Sequence, residues 1–141
     1  MDSRPTATHE PQVQVIPLAD RTALAAGQWQ VRWRLTNAGP QPLHILSTWL
    51  PHSRFRGAEQ AFDPPLTLAP GASRTLELAV ACHEPPGTVV ENAFLILRVL
   101  WGAEPWRILA RLRVVVDPAG GPVMYCERIT TQPVGFAPQG A

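Results

Sequence analysis

Hydrophobic and polar residues alternate without interruption between residues 29 and 36. The apolar positions are Trp29, Val31, Trp33 and Leu35, and the polar ones are Gln30, Arg32, Arg34 and Thr36. A period of two predicts a β-strand that is buried on one face only. Because two tryptophans and two aliphatic residues need an apolar layer to pack against, the run indicates an interior strand of a layered β protein.

Other stretches between the Pro- and Gly-containing turns also predict strands. Together with the first run, the predicted strands cover residues 12–18, 29–36, 43–50, 73–82, 93–101 and 106–116. Residues 20–26 are predicted as a loop containing a turn, although Asp20 as an N-cap and Gly27 as a stop would also suit one or two helical turns. Residues 51–65 have no clear period and are predicted to be irregular, with a short strand over 59–62 as an option.

These elements predict one all-β domain at residues 12–116. It follows a flexible arm at 1–11 and precedes a Gly- and Pro-rich tail at 117–141, in which residues 122–131 could form an extra strand. Sixteen prolines and ten glycines among 141 residues suit short strands joined by turns and disfavour long helices.

Charge and hydrophobicity exclude several classes of function. All twelve basic residues are arginine, yet the net charge is only +1, so the clear basic excess of a nucleic-acid-binding protein is missing. No apolar stretch is long enough to span a membrane, and the first residues do not resemble a signal peptide. We therefore predict a cytoplasmic protein without a membrane span, with export as the alternative.

Three segments carry a resemblance to a known family. LTNAG at 35–39, PLHI at 42–45 and LAPGASRTLEL at 68–78 resemble bacterial immunoglobulin-like domains of the cell-adhesion-related, CARDB-like kind. The resemblance covers residues 12–116 and implies an immunoglobulin-like sandwich: two antiparallel sheets, about seven strands and Greek-key connections. Such domains are typically extracellular modules that bind or space other parts of larger chains. The resemblance also implies that the strand at 29–36 lies beside that at 73–82, which brings Arg32 and Arg34 opposite Glu77.

In the same arrangement the strands at 93–101 and 106–116 are neighbours, and their outer sides are unusually apolar. The interface residues predicted there are Phe94, Ile96, Arg98, Leu100, Arg107, Leu109, Arg111 and Arg113, with Val115 beside them. Soluble monomers seldom leave a large apolar patch uncovered. We therefore predict a non-enzymatic protein-interaction or assembly module that uses this surface.

Three covers for the surface remain open. The tail, or the 51–65 segment with Phe55, could fold over it; a second copy could pack on it in a homodimer; or a different protein could bind it. A further alternative is that the tail strand pairs with the sheet edge of a neighbouring copy and builds chains.

The alternative function is metal or small-ligand binding at one pole of the sandwich. His52, Cys82 and His83 are the candidate ligands there, with Glu84 and Cys126 nearby, and a thiolate with two imidazoles suits zinc or copper. Their spacing matches no known ligand pattern, so we predict no cofactor; in an exported protein Cys82 and Cys126 could instead form a disulfide. No nucleophile elbow, phosphate loop or suitably spaced carboxylate pair occurs, so we predict that the chain is not an enzyme.

Overall fold

The computed structural model describes residues 9–134, and this part of the chain consists of antiparallel strands without a helix. The strands are β1 (Val13–Pro17), β2 (Thr22–Ala25), β3 (Gln28–Asn37), β4 (Leu43–His52), β5 (Phe55–Leu68), β6 (Ser73–Ala81), β7 (Val89–Trp101), β8 (Glu104–Val116) and β9 (Pro122–Pro133). The all-β prediction is therefore confirmed, but the described chain has nine strands where about seven are predicted. It contains no helix that is long and apolar enough to cross a membrane.

The strands follow one hydrogen-bonded path rather than two clearly separate sheets. Their order is β1-β3-β6-β5-β4-β7-β8-β9, and β2 pairs with β3 beside that path. The two ends of the path meet, because β1 contacts β9 and the Thr131 hydroxyl donates a hydrogen bond of 2.6 Å to the Glu10 carboxylate. The result is a nearly closed barrel, which differs from the predicted sandwich of two sheets.

The interior is lined by the side chains that the alternation places inward. In β3, Val31, Trp33 and Leu35 are at most 1% exposed, which confirms the one-sided strand predicted there. The inward positions of β7 and β8 are buried in the same way: Ala93, Leu95, Leu97, Val99, Trp101, Ile108, Ala110, Leu112, Val114 and Val116. Burial of this apolar surface is the main force that stabilises the barrel.

Strand β3 lies between β1 and β6, and its pairing with β6 is the one that the resemblance implies. Arg32 is directly opposite Glu77, and its Nε lies 2.9 Å from the Glu77 Oε2. The predicted pairing of the two strands is therefore confirmed for Arg32. Arg34 is instead opposite Thr75.

Residues 22–25 differ from the predicted loop. They form β2, which turns back through Gly27 at a φ of +69° and pairs with β3. All four residues of β2 are exposed, so no apolar period marks the strand in the sequence. The loop interpretation and the helical alternative are both wrong there.

The predicted irregular segment at 51–65 also differs, because most of it belongs to a strand of fourteen residues, β5. Strand β5 pairs with β4 at both ends, from His52 opposite Phe55 to Leu43 opposite Leu68. Between them the register shifts, and residues 62–65 have no partner in β4. This β-bulge and the exposed side chains of β5 remove the period that would reveal a strand.

Within the hydrogen-bonded path, β5 and β6 share the fewest paired residues. In the described chain their ladder consists of one pair, Arg56 opposite Ala81. The next residue, Gly57, approaches β6 so closely that a Cβ atom there would lie 2.9 Å from the Leu78 side chain and 3.1 Å from the Ala79 carbonyl oxygen. A glycine at position 57 therefore allows β5 to pack this closely against β6. We call this junction between β5 and β6 the seam.

Candidate interaction surface

Strands β7 and β8 form a regular hairpin whose outer side carries all the predicted interface residues. The two-residue turn at Gly102 and Ala103 sets the register, with Ile96 opposite Leu109 and Phe94 opposite Arg111. Beside the turn, the rings of Trp101 and Trp106 meet edge to face with their centroids 6.1 Å apart. We call the outward side of β4, β7, β8 and β9 the outer face.

The outer face is less open than the alternation alone suggests. Among the predicted residues only Arg98 is exposed, and the others are half-buried: Phe94, Ile96, Leu100, Arg107, Leu109, Arg111 and Arg113. Arginine and apolar side chains both lie on this face, and the aliphatic stems of the arginines suit contact with apolar surface. The patch is therefore a mixed surface of apolar centre and basic surroundings.

The predicted intramolecular covers do not lie over this face in the described chain. Residues 122–133 of the tail form β9, which extends the sheet beside β8, with Leu109 opposite Thr130. Phe55 is fully buried in the core. Residues 135–141 of the tail lie outside the described residues.

Two shallow depressions meet on the outer face and share one residue, Leu109. The first has a volume of about 390 Å³ and is lined by Trp49, Glu59, Ile96, Arg98, Arg107 and Leu109. The second, of about 270 Å³, is lined by Phe94, Leu109, Arg111, Arg128, Thr130 and Gln132. Leu109 is thus the apolar centre of a surface with arginines at both ends.

The arginines face one another across the strand ladders. Arg98 lies directly opposite Arg107 on β8, and Arg111 lies directly opposite Arg128 on β9. Like charges in such positions destabilise a sheet. We refer to these as the two arginine pairs.

Nearby glutamates neutralise the arginine pairs only in part. Glu59 lies 3.5 Å from the Arg98 guanidinium, and Glu127 lies 3.7 Å from that of Arg111. Arg107 and Arg128 have no carboxylate partner among the described residues. The buried Nε of Arg111 likewise has no hydrogen-bond acceptor within the described chain. Each pair therefore retains the capacity to bind a further anionic group.

Trp49 belongs to the outer face but is absent from the predicted site. It is 41% exposed, lies opposite Ile96, and lines both the first depression and another that reaches the seam. The register shift between Ile45 and Ser47 changes which residues of β4 point outward. A bulge of this kind leaves no signal in the alternation, and Arg128 was missed because its position depends on the register of β9.

The candidate metal ligands are held by other contacts. The Nδ1 atom of His52 accepts a hydrogen bond of 3.0 Å from the Arg54 amide, and the His83 ring packs against Gly27. Cys82 is 2% exposed, and burial raises the pKa of its thiol. Between residues 9 and 134, no three His, Cys, Asp or Glu side chains are grouped so that they could hold a metal ion.

The other two residues predicted near the candidate ligands are Glu84 and Cys126. Glu84 is in an ion pair, and Cys126 is a free thiol. Arg54 donates a hydrogen bond of 2.8 Å to Glu84, which lowers the pKa of the Glu84 carboxyl. Cys126 lies on β9, is not bonded to Cys82, and has a pKa raised by burial. Both thiols are thus kept in the protonated form, which is the less nucleophilic one.

Comparisons with protein families and with curated proteins find no match for this chain. The chemistry of the outer face therefore has to be interpreted from its own residues.

Proposed function

We propose that this chain is a non-enzymatic protein-interaction or assembly module that binds a protein partner through the outer face. The observation that carries the proposal is that Arg107 and Arg128, one from each arginine pair, lack a carboxylate partner among the described residues and lie on either side of an apolar centre at Leu109. Arginine and tryptophan are enriched where proteins bind one another, and an exposed Trp49 adjoins the same surface.

We also propose that the barrel is a variant of an immunoglobulin-like sandwich, related to the CARDB-like kind. The strand order supports this, because β1-β3-β6 and β5-β4-β7-β8 correspond to the two sheets of such a domain. The single pair at Arg56 and Ala81 joins them, and β9 adds a strand after the usual last one. In this arrangement the outer face belongs to the larger sheet.

A partner other than a second copy fits the charges better. The outer face has five arginines on β7, β8 and β9, and within residues 9–134 three glutamates pair with them, including Glu91 at 3.6 Å from Arg113. Two copies packed face to face would bring the same positive excess together, which costs free energy at an interface. An acidic partner gains from the same arrangement.

The variant Leu109→Glu tests the proposal, with Thr75→Glu on the opposite side of the barrel as the matched control. Thr75 is exposed on β6 and faces Arg34. Proteins captured from extracts of the source organism are quantified by mass spectrometry, and sedimentation velocity reports self-association. We expect Leu109→Glu to capture at least about tenfold less of a partner that wild type and Thr75→Glu both capture. The reason is that binding would bury the new carboxylate against an apolar contact.

Urea unfolding of both variants completes the test. Equal capture by wild type and Leu109→Glu would refute the proposal. So would loss of the folded state in Leu109→Glu alone, since Leu109 would then be a core residue. Loss of a dimer instead of a partner would replace the heterologous partner with a second copy.

A further inference from the structure

The two arginine pairs are separated by a distance that a ligand must match. Arg107 and Arg111 are four residues apart on β8, which corresponds to about 13 Å along a strand. Leu109 lies midway between them and is shared by the two depressions. A ligand that uses the whole surface therefore needs two acidic groups about 13 Å apart with an apolar group between them.

The backbone of the outer face limits the form of this ligand. Strand β7 pairs with β4 and β8, and β8 pairs with β7 and β9. Strands β7 and β8, which hold Leu109 and four of the five arginines, consequently have no free edge whose amides and carbonyls could pair with an extended peptide. Strand β9 is the last of the path, so a peptide added at its edge would lie beside the sheet rather than over Leu109. An α-helix satisfies its own backbone groups and can lay one side on such a surface.

We propose that the partner presents an acidic amphipathic helix that lies along β8. Two carboxylates eight residues apart span about 12 Å on a helix, which brings one to each arginine pair. An apolar side chain midway between them contacts Leu109. This inference rests on the proposed function and specifies the partner's chemistry.

A synthetic helical peptide with two glutamates eight residues apart and a leucine midway is the probe. Two controls have the same length: one has lysines in place of the glutamates, and the other has its glutamates four residues apart. Titration followed by amide chemical shifts of the ¹⁵N-labelled protein gives the Kd and the site. We expect shifts centred on Leu109, a Kd at least about tenfold lower than for either control, and weaker binding as salt is raised.

Arg107→Glu separates binding from stability. It places a glutamate opposite Arg98, and an opposite-charge pair there replaces a like-charge pair. We expect the variant to unfold at the same urea concentration as wild type or at a higher one, and its Kd for the probe to rise at least about tenfold. Arg128→Gln, which removes a charge without a described partner, should raise the Kd by a smaller factor.

The outcomes distinguish this inference from the proposed function. Equal affinity for the two glutamate spacings, or shifts away from Leu109, would overturn the helix and its spacing. If no peptide binds while Leu109→Glu still loses a captured partner, the inference fails and the proposed function stands. If neither effect is seen, both fail.

Discussion

Asn37 ends β3, and its side chain holds two turns together at one pole of the barrel. The residue is 1% exposed. Its Nδ2 donates hydrogen bonds to the carbonyl oxygens of Gln41 at 2.8 Å and Leu68 at 3.0 Å, and its Oδ1 accepts one from the Gly39 amide at 3.0 Å. Asn37→Ala removes all three bonds and leaves these backbone groups short of a partner.

The expected cost follows from the number and burial of those groups. A buried amide without an acceptor costs about 1–3 kcal/mol, and each carbonyl that loses one of its donors costs about 0.5–1 kcal/mol. Asn37→Ala should therefore lower the free energy of unfolding by about 2–5 kcal/mol. This is a large part of the roughly 5–15 kcal/mol that a domain has, and corresponds to a fall in Tm of about 10 °C.

Urea unfolding followed by tryptophan fluorescence measures this change. The matched control is Thr36→Val, which removes a hydrogen bond of 2.6 Å to Ser73 at the surface and should cost less than about 1 kcal/mol. Asn37→Asp provides a second comparison, because it keeps an acceptor for the Gly39 amide but turns an oxygen toward two carbonyls. If Asn37→Ala costs no more than Thr36→Val, the side chain does not hold the turns and the reasoning is refuted.

Two further variants test another turn and the seam. The Gly121 amide donates to the Asp117 carboxylate and lowers its pKa, so this stabilisation is complete above about pH 4 and is lost as the pH falls through the lowered pKa. Asp117→Asn should then lower the free energy of unfolding at neutral pH and lower it progressively less in acid. Glu104→Gln on the surface is the control and should change that free energy little. A decrease for Asp117→Asn that does not depend on pH would contradict this reasoning. In urea unfolding, Gly57→Val should lower the free energy of unfolding by about 1–3 kcal/mol, because the valine side chain collides with β6. The exposed control Ala58→Val should lower it by about 0.5 kcal/mol or less. Equal decreases would show that close packing at the seam is unimportant.

The faces of the long strands could be predicted from the sequence because each has one buried side. Alternation in β3, β7 and β8 correctly separates inward residues such as Trp33 and Leu97 from outward ones such as Arg32 and Arg98. The pairing of β3 with β6 was also available, because the resemblance supplied the topology and Glu77 supplied the matching charge. These predictions depend on local period and on strand neighbours, and a strand slipped by one residue would bury the wrong face.

The elements that were missed lack that one-sided burial. Strand β2 is exposed on every residue, and β5 is interrupted by a bulge at residues 62–65. The resulting nine-stranded, nearly closed barrel depends on contacts between distant parts of the chain, such as Glu10 with Thr131. No pattern within either segment encodes such a contact, so the closure could not be predicted from the alternation.

The candidate site shows the same division between what a strand encodes and what its neighbours decide. The sequence places Arg107 and Arg111 on the outer side of β8, but only the registers of β7 and β9 bring Arg98 and Arg128 opposite them. A sheet whose residues were chosen for stability alone would alternate charges there, as Arg32 and Glu77 do on the other side of the barrel. Local conflicts of this kind are expected where a surface serves binding. In the proposed complex, acidic groups would relieve the repulsion within the arginine pairs, so part of the free energy of binding would come from removing a cost that the unbound fold carries.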